Sequence, residues 1–248
     1  MQLILEKAAD LQKSIEAIAV LIDEAEFIAD EKGLALRATD PSQISMVNFL
    51  LEKKAFKKFD VAGATKIGLD LEYLRQIMSR AKSNDQLSIE LADNDNRLHV
   101  HFKGVGERAF QIPLIDISAA ELPNPKIEFD AFIKMRAAVL QDALKDASLI
   151  SSHVCLGIAK DKFFVKADSS KGNLRNETEK DKENLVELRA SKEVSSMFPL
   201  DYLQDIIKTA SSDTIVELKL KNNAPIEVSY NIGEAQITYL LAPRIESD

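Results

Sequence analysis

The chain has 248 residues, 46% of them hydrophobic and 29% charged, and its 32 basic and 40 acidic side chains give a formal net charge of −8. Such a length holds one large domain or two ordinary ones with full cores, and the composition argues against a disordered chain; no apolar run nears the ~18 residues of a spanning helix. The acidic balance taken alone argues against a nucleic-acid binder. Cys155, the one cysteine, excludes a disulfide framework and fits a reducing cytosol. Met1 to Glu6 has no basic stretch leading into an apolar one, so no secretory leader and a cytoplasmic location are expected.

In chain order, a strand is predicted from Leu3 to Glu6. A helix follows, with Leu11, Ile15, Ile18 and Ile22 at helical spacing. Alternation predicts strands at Leu34 to Ala38 and Ile44 to Met46. A second helix sets Leu71, Leu74, Ile77, Met78 and Ala81 along one side. Leu87 to Leu91 and Leu98 to Phe102 then flank a hairpin turn at Asp93 to Asn96. From Leu114 to Lys126 the chain carries Pro123 and Pro125, which forbid helix and discourage a paired strand. This reads as an extended surface connector. A strand is next predicted at Ile127 to Phe132, then a helix with Leu140, Leu144, Ala147 and Ile150. Strands follow at Phe163 to Ala167 and around Leu185 to Leu188, and the charged stretch Lys171 to Asn184 reads as a turn with strand edges. The last helix holds Leu200, Leu203, Ile206, Ile207 and Ala210, ahead of strands at Ile215 to Leu220, Ile226 to Tyr230 and Ile237 to Leu241.

The two halves repeat. The offset of 129 residues that separates Leu71 from Leu200 also aligns Leu71-Glu72-Tyr73-Leu74 with Leu200-Asp201-Tyr202-Leu203, Leu11-Gln12 with Leu140-Gln141, and Ala38 with Ala167. The strand at Ile44 to Met46 is matched to the one around Leu185 to Leu188. The expected fold is α+β: two topologically similar domains, residues 1–113 and 127–248, each with two helices on antiparallel sheet, joined by the connector 114–126.

Enzyme signatures are absent: no phosphate-binding or dinucleotide glycine loop, no nucleophile elbow, no zinc-protease helix. His99 and His101 share a strand face but lack a third ligand, and His153 with Cys155 has the same weakness. Asp93 and Asp95 suggest a calcium loop, but Arg97 occupies the next ligand position, so a hairpin turn is the better reading. Tyr73 and Tyr202 read as repeated packing residues. No cofactor and no metal is expected.

Three motifs carry a resemblance: Leu36-Arg37-Ala38-Thr39-Asp40-Pro41-Ser42, Leu140-Gln141-Asp142-Ala143-Leu144-Lys145-Asp146-Ala147-Ser148, and Leu241-Ala242-Pro243-Arg244-Ile245-Glu246. With the repeat and the connector, the chain resembles the proliferating cell nuclear antigen family of replication sliding clamps, archaeal type. The resemblance implies a homotrimer closed head to tail around duplex DNA, opened by a clamp loader. DNA polymerase, flap nuclease and ligase would dock on it through short peptides. A mixed ring or a checkpoint-type clamp is the alternative. It further implies that Lys13, Arg75, Lys145 and Lys208 face DNA. The peptide pocket would use Gln43, Ile44, Met46, Leu122, Phe129 and Pro225, with Leu240, Ala242, Pro243, Arg244 and Ile245 at the C-terminal side. Arg80, Lys82 and Arg108 would meet Asp142 and Asp146 across the subunit boundary, beside pairing of roughly Glu107–Ile112 with Asn173–Glu179. The acidic balance then makes sense: a sliding ring needs only weak, sequence-independent attraction inside, and an acidic exterior repels DNA elsewhere.

Overall fold

The computed structural model describes residues 1–92, 95–117, 122 and 125–244. In the first repeat β1 (Gln2–Leu5), α1 (Ala8–Ala19), β2 (Glu24–Asp30), β3 (Gly33–Thr39) and β4 (Ser45–Glu52) come first. They lead to β5 (Lys58–Asp60), β6 (Thr65–Asp70), α2 (Leu71–Met78), β7 (Gln86–Glu90), β8 (Arg97–Lys103) and β9 (Glu107–Pro113). The second repeat opens with β10 (Ala131–Arg136), α3 (Ala137–Ser148), β11 (His153–Ala159), β12 (Lys162–Ser169) and β13 (Gly172–Glu179). It ends with β14 (Leu185–Ala190), β15 (Val194–Pro199), α4 (Leu200–Lys208), β16 (Ile215–Leu220), β17 (Ile226–Ile232) and β18 (Ala235–Leu241).

The repeat is structural as well as textual. Moving α1 by the sequence offset lands on both ends of α3. The strand order β5-β1-β7-β8-β9 recurs as β14-β10-β16-β17-β18, and β4-β3-β2-β6 recurs as β13-β12-β11-β15. The ladders are antiparallel. Within each repeat the two helices pack side by side. Their apolar stripes explain this: Leu11, Ile15 and Ile18 are buried in α1, Leu140 and Leu144 in α3. Truncating such a side chain to alanine costs ~2–5 kcal/mol. Asp70 starts α2 by accepting the Tyr73 N–H at 2.9 Å, which satisfies one orphan donor of the first turn.

The chain divides into two compact units. Residues from Ile44 to Met46 and from Thr238 onward group with the second, and Ile232–Ile237 with the first.

Several expectations need correction. The charged stretch after Lys171 is more strand than turn: β13 is an eight-residue strand paired along β12. Its alternation is real, with Asn173, Arg175, Glu177 and Glu179 exposed and Leu174, Asn176 and Thr178 half-buried, but polar residues stand on both faces and hide the period. The turn proper follows, where Asp181 accepts the N–H groups of Asn184, Glu183 and Leu185; these bonds hold its carboxyl down at about 2. The equivalent of β4 is therefore β13, and β14 is the equivalent of β5, so matching Ile44–Met46 to Leu185–Leu188 is out of register. Strands β2, β5, β6, β11 and β15 are additional to the sequence expectation. Ile22, Ala81, Ile150 and Ala210 lie beyond the helix ends, and the strand expected from Ile127 begins at Ala131.

Candidate functional site

The four cations expected on DNA-facing helices are all exposed. Lys13 projects from α1. On α2, Arg75 donates twice to Glu72, at 2.8 and 2.9 Å. Bonds from Gln76 and Arg75 in turn keep the Glu72 carboxyl below its usual range. On α3, Lys145 lies 3.1 Å from Asp142. Lys208 ends α4 near Asp205, whose carboxyl burial pushes up while Lys208 pulls it down. Two of the four cations are thus balanced by a carboxylate on their own helix, and exposed pairs of this kind add little stability.

The expected subunit-boundary residues separate into two groups. Arg80 and Lys82 are exposed just past α2, and the Arg108 guanidinium reaches back to donate to the Arg80 carbonyl. Arg108 also ion-pairs with Asp85, whose side chain is only 3% exposed. Sequence reasoning missed Asp85, which looks like one more polar turn residue. Asp142 and Asp146 stand exposed one turn apart on α3.

The strands beside these groups differ sharply from their repeat equivalents. In β4, Ser45, Val47 and Phe49 are 3%, 1% and 2% exposed. Their counterparts in β13, Leu174, Asn176 and Thr178, are half-exposed. Ile237 and Tyr239 of β18 are fully buried, while their counterparts in β9, Arg108 and Phe110, are half-exposed. Both β9 and β13 end their sheets, each pairing on one side only among the described residues. Next to β13, Leu149 is 75% exposed, whereas its counterpart Val20 is half-buried.

Most of the expected peptide pocket gathers at one end of the second unit. β17 and β18 form a hairpin through Gly233 and Glu234, with the Ser229 and Thr238 hydroxyls 3.3 Å apart, so counting along it sets Pro225 beside Ala242. The Asp130 N–H donates to the Leu220 carbonyl at 3.0 Å and brings Phe129 to the same end. Ala242 N–H donates to the Ile44 carbonyl at 2.8 Å. Ile44, Phe129, Pro225, Leu240, Ala242 and Pro243 are all half-exposed, and an open cavity of about 430 Å³ adjoins Phe129. Met46 is 5% exposed and belongs to the core beneath. Gln43 and Leu122 fall in the other unit; Gln43 takes a left-handed φ of 59°. Ile245 lies outside the described residues, as do the turn residues Asp93 and Asn94 and residues 118–121 and 123–124 of the connector.

Arg244 does not turn into that surface. Its N–H donates to the Met197 carbonyl at 2.7 Å and its guanidinium lies 3.0 Å from His153 Nδ1. Burial, followed by the Arg244 charge, pushes the His153 imidazole below its ordinary value. The backbone donors of Ala242 and Arg244 are therefore used within the chain.

Other singled-out residues fall elsewhere. His99 pairs with Asp95 at 2.8 Å and stacks on His101 with centroids 6.4 Å apart; no group of three metal-ligating side chains occurs among the described residues. Tyr73 is 43% exposed and is not a packing residue within the lone chain. No helix among the described residues is long and apolar enough to cross a membrane.

Comparison with known proteins matches this layout. The family described as "Proliferating cell nuclear antigen, N-terminal domain" matches residues 1–121, and its "C-terminal domain" counterpart matches residues 124–245. A protein of Methanococcus vannielii named DNA polymerase sliding clamp is 35% identical over 96% of both chains. One of the same name from Methanococcoides burtonii is 38% identical, again over 96% of each. Among solved structures, A. fulgidus PCNA with the C-terminal region of FEN-1 bound is 30% identical, with a TM-score of 0.89 over 100% of this chain and 99% of that one. The fold is also that of PCNA from Thermococcus kodakaraensis, with a TM-score of 0.93 over 98% of this chain and 99% of that one at 24% identity. Matched in both halves, over nearly its full length and in its α+β architecture, the chain belongs to the proliferating cell nuclear antigen family of DNA polymerase sliding clamps.

Proposed function

We propose that three copies of this chain close head to tail into a ring that encircles duplex DNA and tethers polymerase and other DNA-processing enzymes. The observation that carries the reading is the mismatch between repeat-equivalent strands. β9 and β13 leave half-exposed what β18 and β4 bury. Two unlike, incompletely covered edges on one chain suit a heterologous contact, which closes into a ring when its rotation permits. Edge strands left this way are templates for pairing. The domains would run over residues 1–113 and 127–248, with 114–126 as the connector between them.

Inside the ring, Lys13, Arg75, Lys145 and Lys208 would face DNA, two of them partly neutralised by Glu72 and Asp142. That weak field suits a clamp that must slide rather than grip. Partner peptides, including that of a flap nuclease such as the FEN-1 segment bound by the A. fulgidus relative, would dock on Ile44, Phe129, Pro225, Leu240, Ala242 and Pro243. A half-exposed apolar floor suits an aromatic-anchored segment. A clamp loader would open the ring, and the protein would act as a tether without chemistry of its own, in the cytoplasm at the nucleoid. Relatives over the full length carry the clamp name, so the mixed-ring alternative is not favoured.

The test is topological. Loaded onto nicked circular DNA with a clamp loader, the protein should stay bound through a high-salt wash and leave when the circle is cut. Loss at equal rates from circle and linear DNA contradicts the reading.

A further inference from the structure

We propose that Asp85 is a positioning residue for ring closure, acting through Arg108 on the edge strand β9; the proposal rests on the ring reading above. Asp85 lies in the turn between α2 and β7. Its carboxylate accepts the Lys82 N–H at 2.8 Å and ion-pairs with Arg108. The same guanidinium donates to the Arg80 carbonyl and lies 5.2 Å from the centre of the Phe102 ring. In the β8–β9 turn Gly104 comes so close that a Cβ there would sit 2.1 Å from Asp85 Oδ1. One buried carboxylate thus ties the stretch just past α2 to the second residue of β9, with Gly104 of the β8–β9 turn packed close against it.

The second repeat makes the same turn with no carboxylate at the equivalent position. Thr214 and Ile237 stand where Asp85 and Arg108 do. The backbone is alike: Ala8 N–H donates to the Asp85 carbonyl at 2.9 Å, and Ala137 N–H to the Thr214 carbonyl at 2.8 Å. Asp85 N–H donates to the Lys82 carbonyl at 3.0 Å, and Thr214 N–H to that of Ser211 at 2.9 Å. The turn itself therefore does not require a carboxylate, and a buried ion pair offers little net stability over an apolar pair. What differs is the strand. Ile237 is fully buried, whereas the Arg108 side chain is 29% exposed on an edge, where isoleucine would present bare apolar surface before assembly. Arg108 can meet water and still be held, provided Asp85 holds it. Its charge is then used within the subunit, leaving Arg80 and Lys82 to face a neighbour's acids.

The two roles for Arg108 predict opposite signs. Sedimentation and thermal unfolding of the full chain would be compared for the parent, Asp85→Asn, and Asp85→Thr combined with Arg108→Ile, which copies the second repeat. We expect a trimeric parent, a trimer weakened roughly tenfold or more in Asp85→Asn because Arg108 loses its anchor, and recovery of the trimer in the double variant. If Arg108 instead bridges subunits, freeing it from Asp85 leaves the trimer as tight or tighter, and the double variant falls apart; either result overturns the proposal. A lowered unfolding midpoint with trimer affinity unchanged assigns Asp85 to folding alone and also overturns it. A monomeric parent sinks the ring reading itself, and this proposal with it.

Discussion

Strands β4 and β13 occupy the same place in two copies of one fold, yet one buries Val47 and Phe49 while the other leaves Asn176 and Thr178 half-exposed. The same contrast separates β18 from β9, where fully buried Ile237 and Tyr239 answer to half-exposed Arg108 and Phe110. In both pairs the uncovered copy is a strand that ends its sheet, with Asn176, Thr178 and Arg108 polar and Leu174 and Phe110 apolar. The lesson is that internal repetition supplies its own control: a position covered in one copy and uncovered in the other marks surface kept for a partner.

The contrast breaks most completely if the acids flanking β13 are reversed. Asp142→Lys with Asp146→Lys should convert the trimer to monomers at low salt in sedimentation, with the single chain still folded by circular dichroism because both residues are exposed. Single exposed pairs are worth only ~0–1 kcal/mol, so the effect must come from like charges facing Arg80 and Lys82. An unchanged trimer would remove these acids from the boundary.

Next in size is peptide docking. Leu240→Ala with Pro243→Ala should weaken binding of a glutamine- and aromatic-anchored clamp peptide by about 1–3 kcal/mol in calorimetry, with the trimer intact. Met46 makes the sharper control. Because it is 5% exposed, Met46→Ala should lower stability by ~2–5 kcal/mol through a core cavity rather than through docking alone. Equal peptide affinity in parent and Leu240/Pro243 variant would move the site.

A smaller effect is expected on the helix faces. Changing Lys13, Lys145 and Lys208 together to glutamate should slow loading several-fold and flatten the salt dependence of the loading step, by about one unit of log–log slope for each phosphate that is no longer neutralised. Loading and salt dependence identical to the parent would make these ordinary solvated lysines.

The smallest concerns pH. His153 is held below its ordinary value by burial and then by Arg244, so the folded chain favours the neutral ring. Its contribution is complete above the unfolded value of 6.5 and is lost as pH falls through the lower folded value. Arg244→Ala should raise the His153 midpoint in an NMR titration; no movement would contradict the contact.

How much of this is legible in the sequence follows from which signals are periodic. The helices and the two-domain plan are readable because Leu71, Leu74 and Ile77 recur at 3.6-residue spacing and again one repeat later. β13 is readable through the resemblance but not through periodicity, since a strand polar on both faces looks like a loop until its partner is known. Asp85 cannot be found by pattern at all. Its meaning comes from Gly104 and Arg108, which are distant in sequence and meet it only in three dimensions. The motif around Arg244 points to the docking surface, but only coordinates show its guanidinium on His153. Met46 is the reverse case, an apolar residue that the resemblance sets in the pocket and the fold leaves only 5% exposed.

The measurement that bears most directly on the central claim is the mass of the unmodified protein in solution, by sedimentation equilibrium at micromolar concentration over a range of salt. The account predicts a species of three chains that dissociates as concentration falls, closed by the two edges that the repeats leave unequal. A protein that stays a single chain at tens of micromolar in low salt, with β9 and β13 both open to hydrogen exchange, would contradict it.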